Sequence, residues 1–227
     1  ILEDFISGTS RKKRSLIKDI EARSSEIISL GIVALKPFSQ NGDEWAAGWI
    51  LQVINKTGPK ALEKFLQSDS ICWFSQDSLV EIDYSSLQIN LIEQNFEEAD
   101  RFTSLCLRKL AGSKAEERGY VYFSEVGSMS SVDLTTIDRL WVAYSQGRFG
   151  FSIQSKLLEA LNGRYDRLWS RIGWKIDGIW TRYPNSFTWS LQAPEGHMPL
   201  VNQLRGVRLM DALITHPALI ARRNLLK

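Results

Sequence analysis

The sequence has little of what several functional classes require. Its 227 residues include only two cysteines, Cys72 and Cys106, and only two histidines, His197 and His216. Two thiols so far apart provide neither a disulfide framework nor a zinc knuckle, which indicates a reducing compartment. We expect both cysteines to be small buried hydrophobes. No run approaches the roughly 18 apolar residues that span a bilayer, so the sequence predicts no membrane crossing.

The chain also lacks an excess of either charge. It carries 28 Lys and Arg residues against 26 Asp and Glu residues, for a formal charge of +2. A protein that coats nucleic acid normally presents a dominant basic face, so this balance argues against that class. The basic run RKKR, at 11–14, opens a predicted helix, where the helix dipole opposes positive charge. We expect this run to face solvent, with an acidic partner or anionic headgroups as alternatives.

The first part of the chain shows helical rather than alternating spacing of its apolar residues. Short turns join these segments, which is typical of a small bundle of antiparallel helices. A mixed stretch at 68–86 follows and reads as a linker. We therefore predict an N-terminal helical bundle with its linker over 1–80. The helices expected in it cover 10–35, 42–58 and 60–68.

The second part, 81–227, is predicted to be a core domain of helices with one long structured loop at 175–200. We expect Asp133 and Ser152 to cap the helices that follow them. Strand signals are few, apart from a hairpin suggested within the loop, so the expected fold class is all-α. The helices are predicted over 84–112 (as two, with a break at Gln94–Asn95), 132–147, 151–163, 164–174 and from about 199 to 213.

Aromatic residues concentrate in one stretch, since residues 141–189 hold 11 of the 24 in the chain. Aromatic residues at helical spacing usually pack in a core. We assign Trp141, Tyr144, Trp169 and Trp174 to the core on that ground. Trp180 and Tyr183 lie in the loop instead, where rings face a groove about as often as they fill a core; the sequence leaves these two alternatives open.

The stretch LVNQLRGVR, at 200–208, places Arg205 and Arg208 three positions apart beside aliphatic residues. Arginines at this spacing share a helix face, and each guanidinium binds a carboxylate bidentately. A flat, apolar ligand with two carboxylates would fit this pair together with the aromatic loop. The alternative is a pair of surface ion pairs with local acids such as Asp211.

Catalysis has weak support in the sequence. His197 has Glu195 nearby and resembles half of an acid–base pair or a metal ligand. The sequence contains no H-E-x-x-H motif, no nucleophile elbow and no glycine-rich phosphate loop. We therefore expect a protein that is not an enzyme and has no metal site, with His197 bonded to its own loop.

Three segments closely resemble one family. LWVAYSQGRFGFSIQ (140–154), RIGWK (171–175) and FTWSLQAPEGHMPLVNQLRGVR (187–208) are similar to the core of the genomes-uncoupled-4-type tetrapyrrole-binding proteins, regulators of magnesium chelatase. The resemblance extends over about 84–217. The segment 1–75 resembles the small bundle that precedes the core in cyanobacterial and algal members.

The resemblance implies a helical core shaped like a cupped hand, which holds its ligand between long loops. It implies binding of protoporphyrin IX and Mg-protoporphyrin IX without catalysis, and activation of magnesium chelatase, through its large subunit, in chlorophyll biosynthesis. It further implies a cytoplasmic location in cyanobacteria or the chloroplast stroma in algae and plants, with peripheral membrane association. A protein–protein interaction module without its own ligand is the alternative.

Eight residues are expected at the ligand site: the resemblance assigns six of them, and Phe151 and Met198 are included on their apolar character and position. Their expected roles are propionate or cleft-mouth contacts for two arginines, a polar contact near the metal centre, and apolar or aromatic contacts with the macrocycle. Tyr183 departs from several relatives, which have tryptophan at that position. Arg205 and Arg208 are the two arginines, and Asn202 makes the polar contact near the metal centre. The apolar and aromatic contacts come from Phe123, Val126, Phe151, Tyr183 and Met198.

Overall fold

The chain is mostly helical, which confirms the all-α prediction. The computed structural model describes residues 1–24, 33–58, 60, 62, 72–201 and 207–226. None of the helices in these ranges is long and apolar enough to cross a bilayer. The α-helices are α1 (Leu2–Ser7), α2 (Ser10–Glu21), α3 (Trp45–Thr57), α4 (Ser85–Ile92), α5 (Phe96–Ala111), α6 (Ser113–Arg118), α7 (Ser131–Tyr144), α8 (Phe151–Ala160), α9 (Tyr165–Arg171), α10 (Arg208–Ile214) and α11 (Pro217–Leu225).

Two short elements complete this set. A 3-10 helix covers Phe123–Ser128, between α6 and α7. Strands β1 (Lys175–Ile176) and β2 (Ile179–Trp180) pair antiparallel, with Lys175 opposite Trp180. This pair is the hairpin that the sequence suggested within the loop 175–200. The helix predicted at 60–68 and residues 25–32 of the first predicted helix lie mostly or wholly outside the described residues.

Three predicted helix starts are wrong. Ser130, not Asp133, caps α7, because its hydroxyl accepts the Asp133 N–H and the Asp133 carboxylate is used in tertiary contacts. Gly150, not Ser152, precedes α8 with φ at +134°, a conformation that favours glycine. The helix predicted from 199 begins only at Arg208, and residues 199–201 are not helical.

The sequence His216–Pro217 does not simply stop the preceding helix, because it also starts a new one. His216 is the N-cap of α11, and its Nδ1 accepts the Ala218 N–H at 3.3 Å. Proline at the first helical position fits there because its missing N–H has no partner in a first turn. The predicted break between α4 and α5 is confirmed, with Gln94 at a φ of +59°.

The core prediction for aromatic residues is confirmed. Trp141, Tyr144 and Trp174 are completely buried, and Trp169 is nearly so. Trp169 stacks on Trp174 with ring centroids 5.5 Å apart. The indole N–H of Trp141 donates to the Thr103 hydroxyl at 2.9 Å, so burial leaves this donor satisfied. Cys106 is buried as expected, whereas Cys72 is only half-buried.

Helix α7 is the centre of the molecule, and it is buried with charged residues on it. Asp138 has no exposed surface; one oxygen accepts the Ser152 N–H at 2.8 Å, which caps α8 from another helix. The other oxygen accepts from Arg222 of α11 at 2.6 Å. The same guanidinium also reaches Asp43 at 2.6 Å. A three-residue ionic cluster thus joins α7, α11 and the loop before α3.

The remaining charges of α7 are also fully partnered. The Arg139 guanidinium donates to the carbonyl oxygens of Gln40, Gly42 and Ser75. The Asp133 carboxylate accepts hydrogen bonds from the predicted linker, namely from the Ser78 hydroxyl, the Leu79 N–H and the Tyr84 hydroxyl. Buried charge is tolerated only with such partners. Helix α7 therefore fixes the path of the segment before α3 and the path of the predicted linker.

Helix α3 packs on α7 at close range. A Cβ added to Gly48 would overlap the Ala143 carbonyl, so only glycine permits this approach. Gln52 donates to the Tyr144 carbonyl at 2.8 Å and to the Leu91 carbonyl at 2.9 Å.

The division of the chain into two domains near residue 80 stays a prediction.

The basic run at 11–14 is only partly a solvent-facing surface. Arg14 donates to the Gln146 carbonyl at 3.2 Å and lies over the Trp45 ring. Lys13 lies over the Phe38 ring. Two of the four cations therefore make contacts within the molecule, and burial lowers the pKa of Lys13. Only the other two remain for an acidic partner or a headgroup.

We predict that Arg222→Met lowers the free energy of unfolding by about 3–5 kcal/mol, because it leaves the buried Asp138 carboxylate without its cation. Urea unfolding followed by circular dichroism measures the change. Arg223→Met is the matched control, since Arg223 pairs with Glu159 at 3.4 Å near the surface. The control should lose less than about 1 kcal/mol. Equal losses in the two variants would contradict a special role for Arg222.

Candidate ligand-binding site

A cleft lies between α5, residues 119–129 and α10. Its cavity volume is about 70 Å³. Pockets for drug-sized molecules commonly measure about 300–1,000 Å³, so a ligand of that size enters only if the walls move apart. The lining residues are mostly apolar, with one cation: Ser104, Leu107, Arg108, Gly119, Tyr120, Val121, Met129, Leu200, Val201, Leu209 and Leu213.

One side chain, Arg118, organises the wall that contains the 3-10 helix. Its guanidinium binds the Glu125 carboxylate at 2.7 Å and donates to the Tyr120 carbonyl at 2.9 Å. It also lies over the Tyr122 ring at 4.1 Å. The Tyr122 N–H and the Arg118 guanidinium hold the pKa of Glu125 below its usual range. This ion pair and these ring contacts fix the turn that presents the 3-10 helix to α10.

None of the predicted site residues that the structure describes lines this cleft, but Arg208 and Phe123 meet on the elements that form its walls. Arg208 begins α10, and its guanidinium carbon lies 5.4 Å from the centroid of the Phe123 ring. Phe123 is 46% exposed, whereas Val126 is buried beneath the same 3-10 helix. An exposed guanidinium over an exposed ring is a contact that an anionic aromatic ligand is able to join. Asn202 and Arg205 lie outside the described residues.

The other three predicted residues occupy different surroundings. Phe151 and Met198 are completely buried, and the Gly150 N–H donates to the Met198 carbonyl. A ligand reaches these side chains only if the loop moves, so their role stays a prediction. Tyr183 is 44% exposed and packs edge-on against Phe187 and Trp189. Its ring belongs to an aromatic cluster on the loop and does not line the cleft between α5 and α10.

Sequence reasoning missed most of the walls of the cleft. Arg108, on α5, lines it and donates to the Ser104 hydroxyl at 2.9 Å. Tyr120 and Val121 directly follow Gly119, which takes a positive φ of +79° and turns the chain after α6. Gly119 and the apolar residues directly after it are the one local sequence feature that indicates a wall of the cleft. Contacts between distant helices supply the rest.

His197 organises the loop 175–200 from inside. Its Nδ1 donates to the Ile172 carbonyl at 2.7 Å, and its Nε2 accepts the Thr188 N–H at 3.3 Å. The Phe187 ring lies 4.9 Å away, and the indole N–H of Trp174 donates to the His197 carbonyl. The expectation that this histidine bonds its own loop is confirmed. Both ring nitrogens are occupied, which leaves neither for a metal ion or a proton transfer.

The acid–base alternative also fails on geometry. Glu195 pairs with Arg171 at 3.8 Å on the surface, while His197 is buried and bonded elsewhere. Within the described ranges, no group of three or more histidine, cysteine or acidic residues is arranged to hold a metal ion. The class that the fold and site define is an all-α protein with an apolar cleft bordered by arginines.

Comparison with known proteins identifies the family. The family model described as GUN4-like matches residues 77–217, so the chain belongs to the GUN4-like family. It is 48% identical over 144 residues to a Ycf53-like protein of Synechocystis sp., covering 63% of this chain and 62% of that protein. It is 37% identical to the protein of Arabidopsis thaliana named tetrapyrrole-binding protein, chloroplastic, covering 60% and 54%. The chain thus spans about three-fifths of the length of these curated relatives.

Solved structures agree with this assignment. The structure of GUN4 from Chlamydomonas reinhardtii matches with a TM-score of 0.62 and 35% identity, covering 67% of this chain and 97% of that one. The ligand-free structure of Arabidopsis thaliana GUN4 matches with a TM-score of 0.57 and 38% identity, covering 61% and 98%.

We predict that His197 contributes stability above its unfolded pKa of about 6.5, and that this contribution is lost as the pH falls through its lower folded pKa. Burial lowers the pKa of His197, and protonation would remove the acceptor for the Thr188 N–H. Thermal unfolding of the wild type and His197→Gln from about pH 8 to about pH 5 measures it. The stability difference between the two should shrink with acidity.

His216→Gln is the matched control for this measurement. His216 is also buried, which lowers its pKa, but it caps α11 and does not touch the loop. The His216→Gln variant should retain the part of the pH dependence that His197 causes. A stability difference between wild type and His197→Gln that stays constant over this pH range would contradict the neutral-histidine account.

Proposed function

We propose that this chain binds a tetrapyrrole, protoporphyrin IX or Mg-protoporphyrin IX, in the cleft between α5, the 3-10 helix and α10. The observation that carries the proposal is the Arg208 guanidinium over the exposed Phe123 ring beside an apolar cleft. The name of the Arabidopsis relative, tetrapyrrole-binding protein, supports the choice of ligand. Apolar walls suit the faces of the macrocycle, and arginines suit its propionates.

The expected affinity follows from these contacts. Burying a few hundred Å² of macrocycle contributes roughly 5–10 kcal/mol before costs, at about 25 cal/mol per Å². Lost motion and loop ordering offset much of this gain. Each guanidinium–propionate contact adds about 1–3 kcal/mol when partly shielded from water. A dissociation constant of roughly micromolar order results, which suits a carrier that passes its ligand on.

In this proposal the side chains of Arg208 and of Arg205, three positions earlier in the sequence, bind the propionates. Arg208 begins α10 and is exposed, so a carboxylate reaches it without displacing any described ion-pair partner. Arg108 lines the opposite wall and adds a second described cation to the cleft. Asn202, in the same segment as Arg205, supplies the polar contact near the metal of Mg-protoporphyrin IX.

We further propose that the protein acts without catalysis, as an activator of magnesium chelatase in chlorophyll biosynthesis that engages the large subunit. Membership of the GUN4-like family and the site's lack of a free histidine support this role. The name of the Arabidopsis relative, tetrapyrrole-binding protein, chloroplastic, supports a chloroplast location for algal members. The stroma, the cytoplasm in cyanobacteria and peripheral attachment to membranes are part of the proposal. Addition of the protein to reconstituted chelatase should raise the rate of magnesium insertion, while the protein alone inserts none.

The titration that tests ligand binding uses deuteroporphyrin IX and follows tryptophan emission together with the porphyrin absorption band. Trp180 is 39% exposed on the loop and reports a nearby macrocycle. We expect saturable quenching at roughly micromolar concentration. A flat titration would contradict porphyrin binding and favour the protein–protein interaction module.

We predict that Arg208→Glu weakens deuteroporphyrin binding about tenfold, because a carboxylate replaces the cation beside Phe123, and that Arg205→Glu with Arg208→Glu weakens it further. Circular dichroism should stay unchanged, since Arg208 is exposed at a helix start. Arg11→Glu, an exposed arginine of α2, is the control with the same charge change. Equal affinity of the double variant and wild type would eliminate the propionate role.

A further inference from the structure

The end of the loop 175–200 is held by two buried side chains. Asp100, on α5, is 3% exposed, and its Oδ1 accepts the Leu200 N–H at 2.6 Å. Gln154, on α8, is completely buried and donates from its amide to the Gly196 carbonyl at 3.0 Å and the Pro199 carbonyl at 2.9 Å. Two helices thus fix the backbone on either side of the Pro199–Leu200 peptide.

This backbone leads directly into the wall of the cleft. Leu200 and Val201 are both lining residues, and Asn202 and Arg205 follow within five positions. The Leu200 N–H is therefore the last described backbone anchor before the segment assigned to the propionates. If that hydrogen bond breaks, the apolar wall loses its fixed position.

The Asp100 carboxyl group is poorly compensated for an ionised buried acid. Within the described residues no salt bridge reaches it, because its neighbour Arg101 pairs with Glu97 at 2.6 Å and Glu98 at 3.0 Å at the surface. The Leu200 N–H donates to it directly, and the charge of Arg101 acts on it only from a distance. Groups that face it are Glu97 and Arg101 on its own helix and Tyr183 from the loop.

This environment favours the protonated acid. Burial raises the pKa of Asp100 to about 7, Glu97 adds to the rise, and the Leu200 N–H and Arg101 oppose it. In an opened arrangement, with the carboxyl in water, the pKa returns to its ordinary value of 3.8. The closed arrangement therefore binds a proton more tightly than the open one. The free-energy advantage that the closed arrangement gains from the protonated Asp100 is complete below pH 3.8 and is lost as the pH rises through about 7.

We propose that Asp100 is a positioning residue of the cleft: it holds the Leu200–Val201 wall in place while protonated, and its ionisation loosens that wall. The proposal rests on the proposed function only in its second part, that a bound tetrapyrrole closes against this wall. Protonation then favours retention of the ligand, and ionisation favours its release. Asp100 acts through the backbone of Leu200 and is not required to touch the ligand.

Hydrogen exchange of the Leu200 amide in the unliganded full chain tests the first part. Mass spectrometry of a peptide that spans 198–200 reports it, since Met198 becomes the amino terminus of the peptide and Pro199 has no amide hydrogen. After correction for intrinsic exchange, the protection of this amide should fall about tenfold from about pH 6 to pH 8 in the wild type. Asp100→Asn retains the acceptor oxygen without the titration, so its protection should stay constant over this range.

Two further variants sharpen the measurement. Asp177→Asn makes the same acid-to-amide change at an exposed position of the same loop and should behave like the wild type. Asp100→Ala removes the acceptor and should lower protection at every pH. If Asp100→Ala does not fold, the comparison between wild type and Asp100→Asn still decides. A pH dependence shared by wild type and Asp100→Asn would overturn the proposal.

Saturating deuteroporphyrin IX tests the second part. In the wild type we expect the ligand to slow exchange at Leu200 at least tenfold. Porphyrin that binds without changing this exchange would overturn the link between Asp100 and the cleft. Absence of porphyrin binding at every pH would defeat the proposed function instead, while the pH dependence of the unliganded protein would still decide the role of Asp100.

Discussion

The rest of the structure depends on a single buried helix that carries charge. Helix α7 has almost no exposed side chain, yet Asp133, Asp138 and Arg139 lie on it. Their partners come from the segment before α3, the stretch at 75–84, the start of α8 and the C-terminal α11. An uncompensated charge at this depth would cost several kcal/mol, so each partner segment is fixed in position by the need to pair. The helix therefore fixes the start of α8 through the Ser152 N–H and the position of α11 through Arg222.

This arrangement explains why the cleft forms at an edge of the core. The walls of the cleft belong to α5, the 3-10 helix and α10. None of these elements supplies a described hydrogen-bond partner for the charged side chains of α7. Arg118 fixes one wall from the surface, and Asp100 with Gln154 fixes the other from inside. The family model matches residues 77–217, so α3 lies outside the matched range while α7, on which it packs, lies within it.

Much of the helical core could be predicted from the sequence, because amphipathic periodicity reports burial. The break at Gln94 and the buried rings of Trp141 and Trp174 were predicted for this reason. Helix starts were not, because capping depends on tertiary partners: Asp133 serves the linker, and Asp138 caps α8. Short helices such as α1 and α6 have too few residues for a periodic signal. The family resemblance placed Phe123 and Arg208 in one site although 85 residues separate them, and the structure brings them into contact. No local pattern indicated that Leu213, on α10, lines the cleft.

The pairing of Asp138 with Arg222 also affects the order in which the chain folds during its synthesis. These residues are separated by 84 positions, and a ribosome makes the arginine long after the aspartate. A nascent chain that already contains α7 carries a carboxylate whose final cation does not yet exist. Folding vectorially from the amino end therefore leaves the central helix incompletely neutralised until α11 emerges. Completion of the core thus waits until α11 has left the ribosome.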